Sequence, residues 1–205
     1  MRRPRPEPLP TVELPDGRVW LRVADPAWDD PLDPVPPGLS GGRWNAPGAY
    51  PTLYFSADPL TARAQLERLL ADAPVDVEDL EDDAYVLVAA RLPRDQRCAD
   101  ATDPRGLKAL RLPLAYPLDD RGEPVPHAPC QRAGRRVHEA DLRGVWARSA
   151  ASAHPERREL AWFPAAARSR ARPVWRRPRP LGRWRDATEW ADLRLPPQRA
   201  PRPVR

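Results

Sequence analysis

Apolar and polar positions alternate through GRVWLRV, residues 17–23, and a period of two predicts a strand. A loop dense in Pro, Gly and Asp follows, DPAWDDPLDPVPPGLSGGRWN. The short aromatic run PTLYFS, residues 51–56, predicts the next strand. Asp58 then precedes Pro59, an N-cap acceptor followed by proline at the first helical position, so a helix is expected over PLTARAQLERLLADA. Leu60, Ala64, Leu66 or Glu67, and Leu70 recur in it at helical spacing. AYVLVAARLP, residues 84–93, carries the clearest strand signal and is apolar enough to expect at a sheet centre. DPRGLKAL predicts a short helix, and PCQRAGRRVHEADLRG an amphipathic one turning Ala133 and Val137 inward. VWARSA and RELAWFP predict two further strands. The types mix without a regular strand–helix–strand rhythm, so the fold class expected is α+β, in one domain.

Composition alters the picture at the two ends. Of 205 residues, 30 are proline, and they crowd with arginine into residues 1–16 and 169–205. Pro/Arg segments bury too little apolar surface to offset their ordering entropy. Both ends are therefore expected to be extended or disordered, around a globular domain spanning 17–168. The net charge of +5 rests on arginine, with Lys108 the sole lysine. Because the basic excess lies in the ends, direct nucleic-acid binding ranks last among the functions considered, although Trp175, Trp184 and Trp190 among arginines offer stacking surfaces. Cys98 and Cys130 show neither metal spacing nor a disulfide framework. No secretory leader or membrane-length apolar run is present, so a cytoplasmic protein without membrane contact is expected.

Three groups could carry chemistry. Arg43, Trp44 and Asn45 follow paired glycines, whose freedom allows close backbone approach to a ligand, while arginine offers a rigid fork of donors for an anion. The competing reading is a tight turn with Trp44 plugging the core. Tyr54 and Ser56 share one face of their strand, with Gln65 and Glu67 on the helix behind. At 3.6 residues per turn the latter two point about 200 degrees apart, so only one can face a given site. Arg148 and Ser149 end the strand VWARSA, a place from which side chains often reach a pocket rim. His127, His138 and His154 match no metal spacing and are expected at the surface, His154 being the strongest candidate for an exception.

Taken in order, WLRV, GGRWNAPG, TLYFSADPLTARAQ, DATDPRGLKAL, CQRAGRRVHEADLRGVWARSA and RELAWFP resemble the RES domain family over about residues 19–164. The resemblance implies a fold like that of ADP-ribosyltransferase toxins and an enzyme that attacks NAD as substrate, with no cofactor or metal. Cleavage would fall at the nicotinamide–ribose bond, by hydrolysis or with inorganic phosphate as co-substrate, in a toxin neutralised by an Xre-type antitoxin. By motif match, Arg22 and Arg43 take the pyrophosphate and ribose side, Tyr54 lines the nicotinamide pocket, and Ser149 hydrogen-bonds the nicotinamide ribose or amide. The family helix reads Thr-Ala-x-Ala-Glu, whereas this chain has Gln65 eleven positions after Tyr54. Glutamine lacks the charge that would stabilise an oxocarbenium ion. Three readings of Gln65 stand at this point: an inactivated variant, a weak natural enzyme, or substitution by Glu67. A non-catalytic domain binding a nucleotide or partner protein is the alternative function.

Overall fold

The computed structural model describes residues 8–166 and 171–204. Strand β1 (Thr11–Glu13) precedes β2 (Val19–Ala24), and a short helix α1 (Val35–Ser40) forms within the loop expected after it. Next come β3 (Leu53–Ser56), α2 (Pro59–Leu69), β4 (Val86–Arg91), β5 (Arg97–Ala101), α3 (Pro104–Leu110) and α4 (His127–Glu139). The chain continues through β6 (Gly144–Arg148), β7 (Arg158–Trp162) and three two-residue strands, β8 (Arg172–Pro173), β9 (Arg179–Pro180) and β10 (Arg202–Pro203). The sheet order is β10-β1-β5-β6-β7-β3-β2-β4-β8, with β9 also on β4. Among the described residues only β5 and β6 run parallel; every other pair is antiparallel. The α+β expectation holds.

Local chemistry explains the helix starts. The Asp58 carboxylate accepts from Thr61 N at 2.8 Å and Asp103 accepts from Gly106 N at 2.7 Å, each with proline at the first helical position. On α2 Ala64 and Leu66 are buried as expected, with Ala62 beside them and Leu70 just past the helix, whereas Leu60 is only half-buried. Glu67 points away and pairs with Arg63 at 3.0 Å. The α4 helix turns Ala133 and Val137 inward as expected, along with Cys130 and Gly134.

Strand β4 is not at the sheet centre. It lies near one edge, flanked by β2 and by the two-residue strands β8 and β9. Its apolar character has another cause, burial on both faces. Leu87 and Ala89 join a cluster with Trp184, while Val88 and Ala90 join one with Trp20 and Trp162.

The chain ends also depart from expectation. Residues 1–7 and 167–170 fall outside the described residues, but β1 is sandwiched between β5 and β10, within the sheet. Beyond residue 171, Leu181, Trp184, Ala187, Leu193 and Leu195 are buried against β2, β4 and α2. The Pro/Arg composition concealed a sparse set of apolar anchors, and a core needs only those to recruit the segment.

One sheet face holds two apolar clusters. Val19, Leu21, Leu87 and Ala89 meet α2 and the C-terminal segment, while Ala99, Ala101, Val145, Ala147 and Ala161 meet α3 and α4. Between them the face is polar. Tyr54 and Ser56 on β3 stand in register with Ala161 and Glu159 on β7, and cross-strand partners share a face. This interruption places the site.

Candidate active site

Strands β2 and β3 pair through a single registered position, Leu21 opposite Ser56. Past it the Arg22 guanidinium bridges the strands, donating through Nε to Pro31 O at 2.9 Å and through Nη1 to Tyr54 O at 3.3 Å. It also lies over the Trp28 ring, 5.4 Å from the centroid. Burial lowers the Arg22 pKa to about 10, so the group stays cationic at neutral pH. A cleft of about 540 Å³ opens here, and Arg22, Trp28, Gly42, Arg43, Tyr54, Gln65, Arg68, His127 and Glu159 are among its lining residues. That volume falls within the roughly 300–1,000 Å³ of small-molecule sites.

The glycine-rich loop is fastened from several sides. Tyr54 Oη accepts from Trp44 N at 2.9 Å and donates to Asn45 Oδ1 at 2.7 Å. Trp44 is fully buried, and Asn45 Nδ2 donates to Pro37 O at 3.0 Å. From α4, Gln131 Nε2 donates to Gly42 O at 2.9 Å. The glycines therefore serve the protein itself. A Cβ on Gly42 would stand 2.6 Å from Tyr54 Oη, and Gly41 has φ +75° with Pro47 N 2.7 Å from a Cβ position. Trp44 plugs the core, as the tight-turn reading expects, while Arg43 lines the cleft. One Arg43 Nη donates to Val125 O at 2.8 Å. Tyr54 presents its ring to the cleft, with its hydroxyl already committed to the loop.

Gly134 gives this seating a direct test. A Cβ there would lie 1.9 Å from Trp44 O, the carbonyl that also accepts from Tyr50 Oη at 2.7 Å. Helix propensity alone favours alanine over glycine by about 1 kcal/mol. Overpacking against backbone outweighs it, so Gly134→Ala is expected to lower the unfolding free energy in urea titration by about 1–3 kcal/mol. A stabilised variant would show that the loop does not rest on α4.

The cleft floor carries a residue that motif reading missed. Glu159 is 5% exposed and receives Gln65 Nε2 at 3.1 Å, Ala150 N at 3.1 Å, Ser149 Oγ at 3.3 Å and, more distantly, Trp44 Nε1 at 3.5 Å. Burial raises its pKa above the usual carboxylate range, opposed by the Ala150 hydrogen bond and the Arg43 charge. The folded state thus binds this proton more tightly than the unfolded state. Its contribution to stability is greatest at acid pH and is lost as pH rises through the folded pKa. An acidic residue leading directly into the apolar run LAWFP was the available signal, since a buried strand admits a carboxylate only where donors await it.

The structure brings Arg22, Arg43, Tyr54 and Gln65 to one cleft. Ser149 differs from its expected place: at 1% exposure it sits behind Glu159 and donates to that carboxylate rather than lining the cleft. Arg148 is spent on backbone, donating to Thr102 O at 3.0 Å. All three histidines are exposed, as expected, and His154 is no exception; His127 lines the cleft at the start of α4, its pKa lowered by desolvation and by the Arg43 and Arg68 charges. His138 stacks on Tyr50 at 4.3 Å, and His154 accepts from Glu156 N in an exposed turn. No group of three metal-ligating side chains occurs among the described residues, nor any helix long and apolar enough to cross a membrane.

Comparison with known proteins adds two findings. The RES domain family model matches residues 18–188. The fold is similar to a chain in the crystal structure of the M. tuberculosis MbcT–MbcA toxin–antitoxin complex, with a TM-score of 0.63 and 21% identity over 81% of this chain and 85% of that one. No curated protein sequence matches the chain.

Proposed function

The chain belongs to the RES domain family, and from that premise we propose that it cleaves NAD at the nicotinamide–ribose bond, as the toxin of a toxin–antitoxin pair. One observation carries the reading. Cationic Arg43, Arg68 and Arg22 line the same cleft as the Tyr54 ring, above a buried carboxylate. The substrate has complementary parts: an anionic pyrophosphate, a planar nicotinamide, and a ribose that gains positive charge as the glycosidic bond lengthens. Guanidinium groups hold the pyrophosphate, and an aromatic face packs the nicotinamide ring. Fixing both ends restrains the ribose between them, so the reaction begins from an ordered geometry. Water or inorganic phosphate accepts the ADP-ribose.

An antitoxin partner of the Xre type suits the rim. Trp28 and Leu69 line the cleft yet are 47% and 61% exposed, with Leu39 nearby in sequence to the glycine loop at 66%. Exposed apolar residues around a cleft mark a surface that a partner can cover.

Incubating the purified protein with NAD, with and without phosphate, and following nicotinamide release tests the activity. Release is expected, and its dependence on phosphate identifies the acceptor. NAD binding without release would instead support the non-catalytic alternative.

A further inference from the structure

We propose that Glu159, on strand β7, is the carboxylate that faces the ribose during bond cleavage, and that Gln65 and Ser149 are the positioning residues holding it. The proposal rests on the NAD-cleaving reading and deepens it. Gln65 faces the cleft but is neutral, Arg68 is basic, and Glu67 points outward to Arg63, so α2 offers no negative charge to this site. Glu159 is the acidic residue among those lining the cleft. Four donors oppose the desolvation that favours its neutral form: an amide, a backbone N–H, a hydroxyl and an indole N–H all point at it. A negative group held in a water-poor site by fixed donors is suited to stabilising positive charge that develops only as the bond breaks. In a balanced step, the C1′–N bond of the nicotinamide riboside breaks and nicotinamide leaves with the bonding pair. An oxygen of water or phosphate then supplies the pair for a new C1′–O bond, the proton of an attacking water passes to solvent, and Glu159 remains unmodified throughout.

The same geometry gives Gln65 a purpose. A glutamate there would set two carboxylates at hydrogen-bond distance, and like charges so close share a proton. With glutamine on the helix and glutamate on the strand, the pair carries one negative charge and one hydrogen bond. The other charged and titratable groups acting on Glu159 or acted on by it are Arg43 from the glycine loop, Tyr54 from β3, Tyr116, and Cys130 from α4.

The test compares the wild type with E159Q, Q65E, the exchanged pair Q65E/E159Q, S149A, and E67Q as a control outside the cleft, in full-length protein with melting curves for each. E159Q is expected to lose about 100-fold or more in kcat with NAD affinity kept, the scale for one preorganised group. The exchanged pair, which returns one carboxylate to the site, is expected to recover at least about tenfold over E159Q. Removing a donor to the charged form raises a carboxylate pKa, so S149A should move the acid limb of the kcat profile to higher pH. That shift carries the test should E159Q fail to fold. An E159Q enzyme within about threefold of wild type, an exchanged pair no better than E159Q, or an unmoved S149A limb overturns the assignment while leaving NAD cleavage standing. A wild type that releases no nicotinamide overturns both.

Discussion

Trp184→Ala is expected to destabilise the protein by about 3–5 kcal/mol, the range for deleting a fully buried tryptophan. The indole is 2% exposed and packs in the cluster that also contains Leu21, Leu66, Leu87, Leu181 and Leu193. For a domain of this size the loss corresponds to a fall in Tm of roughly 10 °C or more. Trp184→Phe is expected to cost far less, since it keeps an aromatic filler. It also removes an indole N–H that has no hydrogen-bond partner among the described residues. The effect should extend to the cleft, because Leu66 of α2 rests in the same cluster, one residue from Gln65. Polar ties reinforce this seat: Arg185 donates to Glu78 O at 2.8 Å and Leu80 O at 2.7 Å, and Arg63 of α2 donates to Arg185 O at 2.9 Å. Thermal and urea unfolding measure the change. A loss below about 1 kcal/mol would mean that the C-terminal segment is peripheral after all.

Tyr54→Phe should be nearly as damaging, and it separates two roles for this tyrosine. A ring that only stacks on a substrate would tolerate phenylalanine, which presents the same face. Here the hydroxyl both accepts the Trp44 N–H and donates to the fully buried Asn45 Oδ1. Phenylalanine strands both groups, at about 1–3 kcal/mol for each unpaired buried partner. A total of about 2–6 kcal/mol is expected in urea titration. The loop carrying Arg43 would loosen with it, so nicotinamide release should fall even at saturating NAD. Unchanged stability would show that the phenol does not hold the loop.

How much of the site could be read from the chain depends on how local its causes are. The helix α2 was foreseeable because Asp58 and Pro59 sit side by side and cap it without help from elsewhere. Strand β5 was not. RCADA has little of the β-branched or aromatic character of a strand, and its pairing with β6 arises from residues more than forty positions away. Motif order singled out Arg22, Arg43, Tyr54 and Gln65, and all four line the cleft. The same order promoted Ser149 to the cleft wall, where the fold instead hides it behind Glu159. Linear spacing can mark a residue as special without saying which atom it serves.

Neighbouring residues and motif order were enough for the α+β class, the capped helices, the alternation of β2 and the RES family. Where the carboxylate of the cleft sits could be read only from the packed molecule. Gln65 and Glu159 are 94 positions apart, and their meeting depends on β7 joining β3 in register and on α2 packing over β2 and β3. Tertiary packing likewise drew a proline- and arginine-rich terminus into the core. Burial is conferred by the surface a segment lands on, and composition alone does not contain that surface.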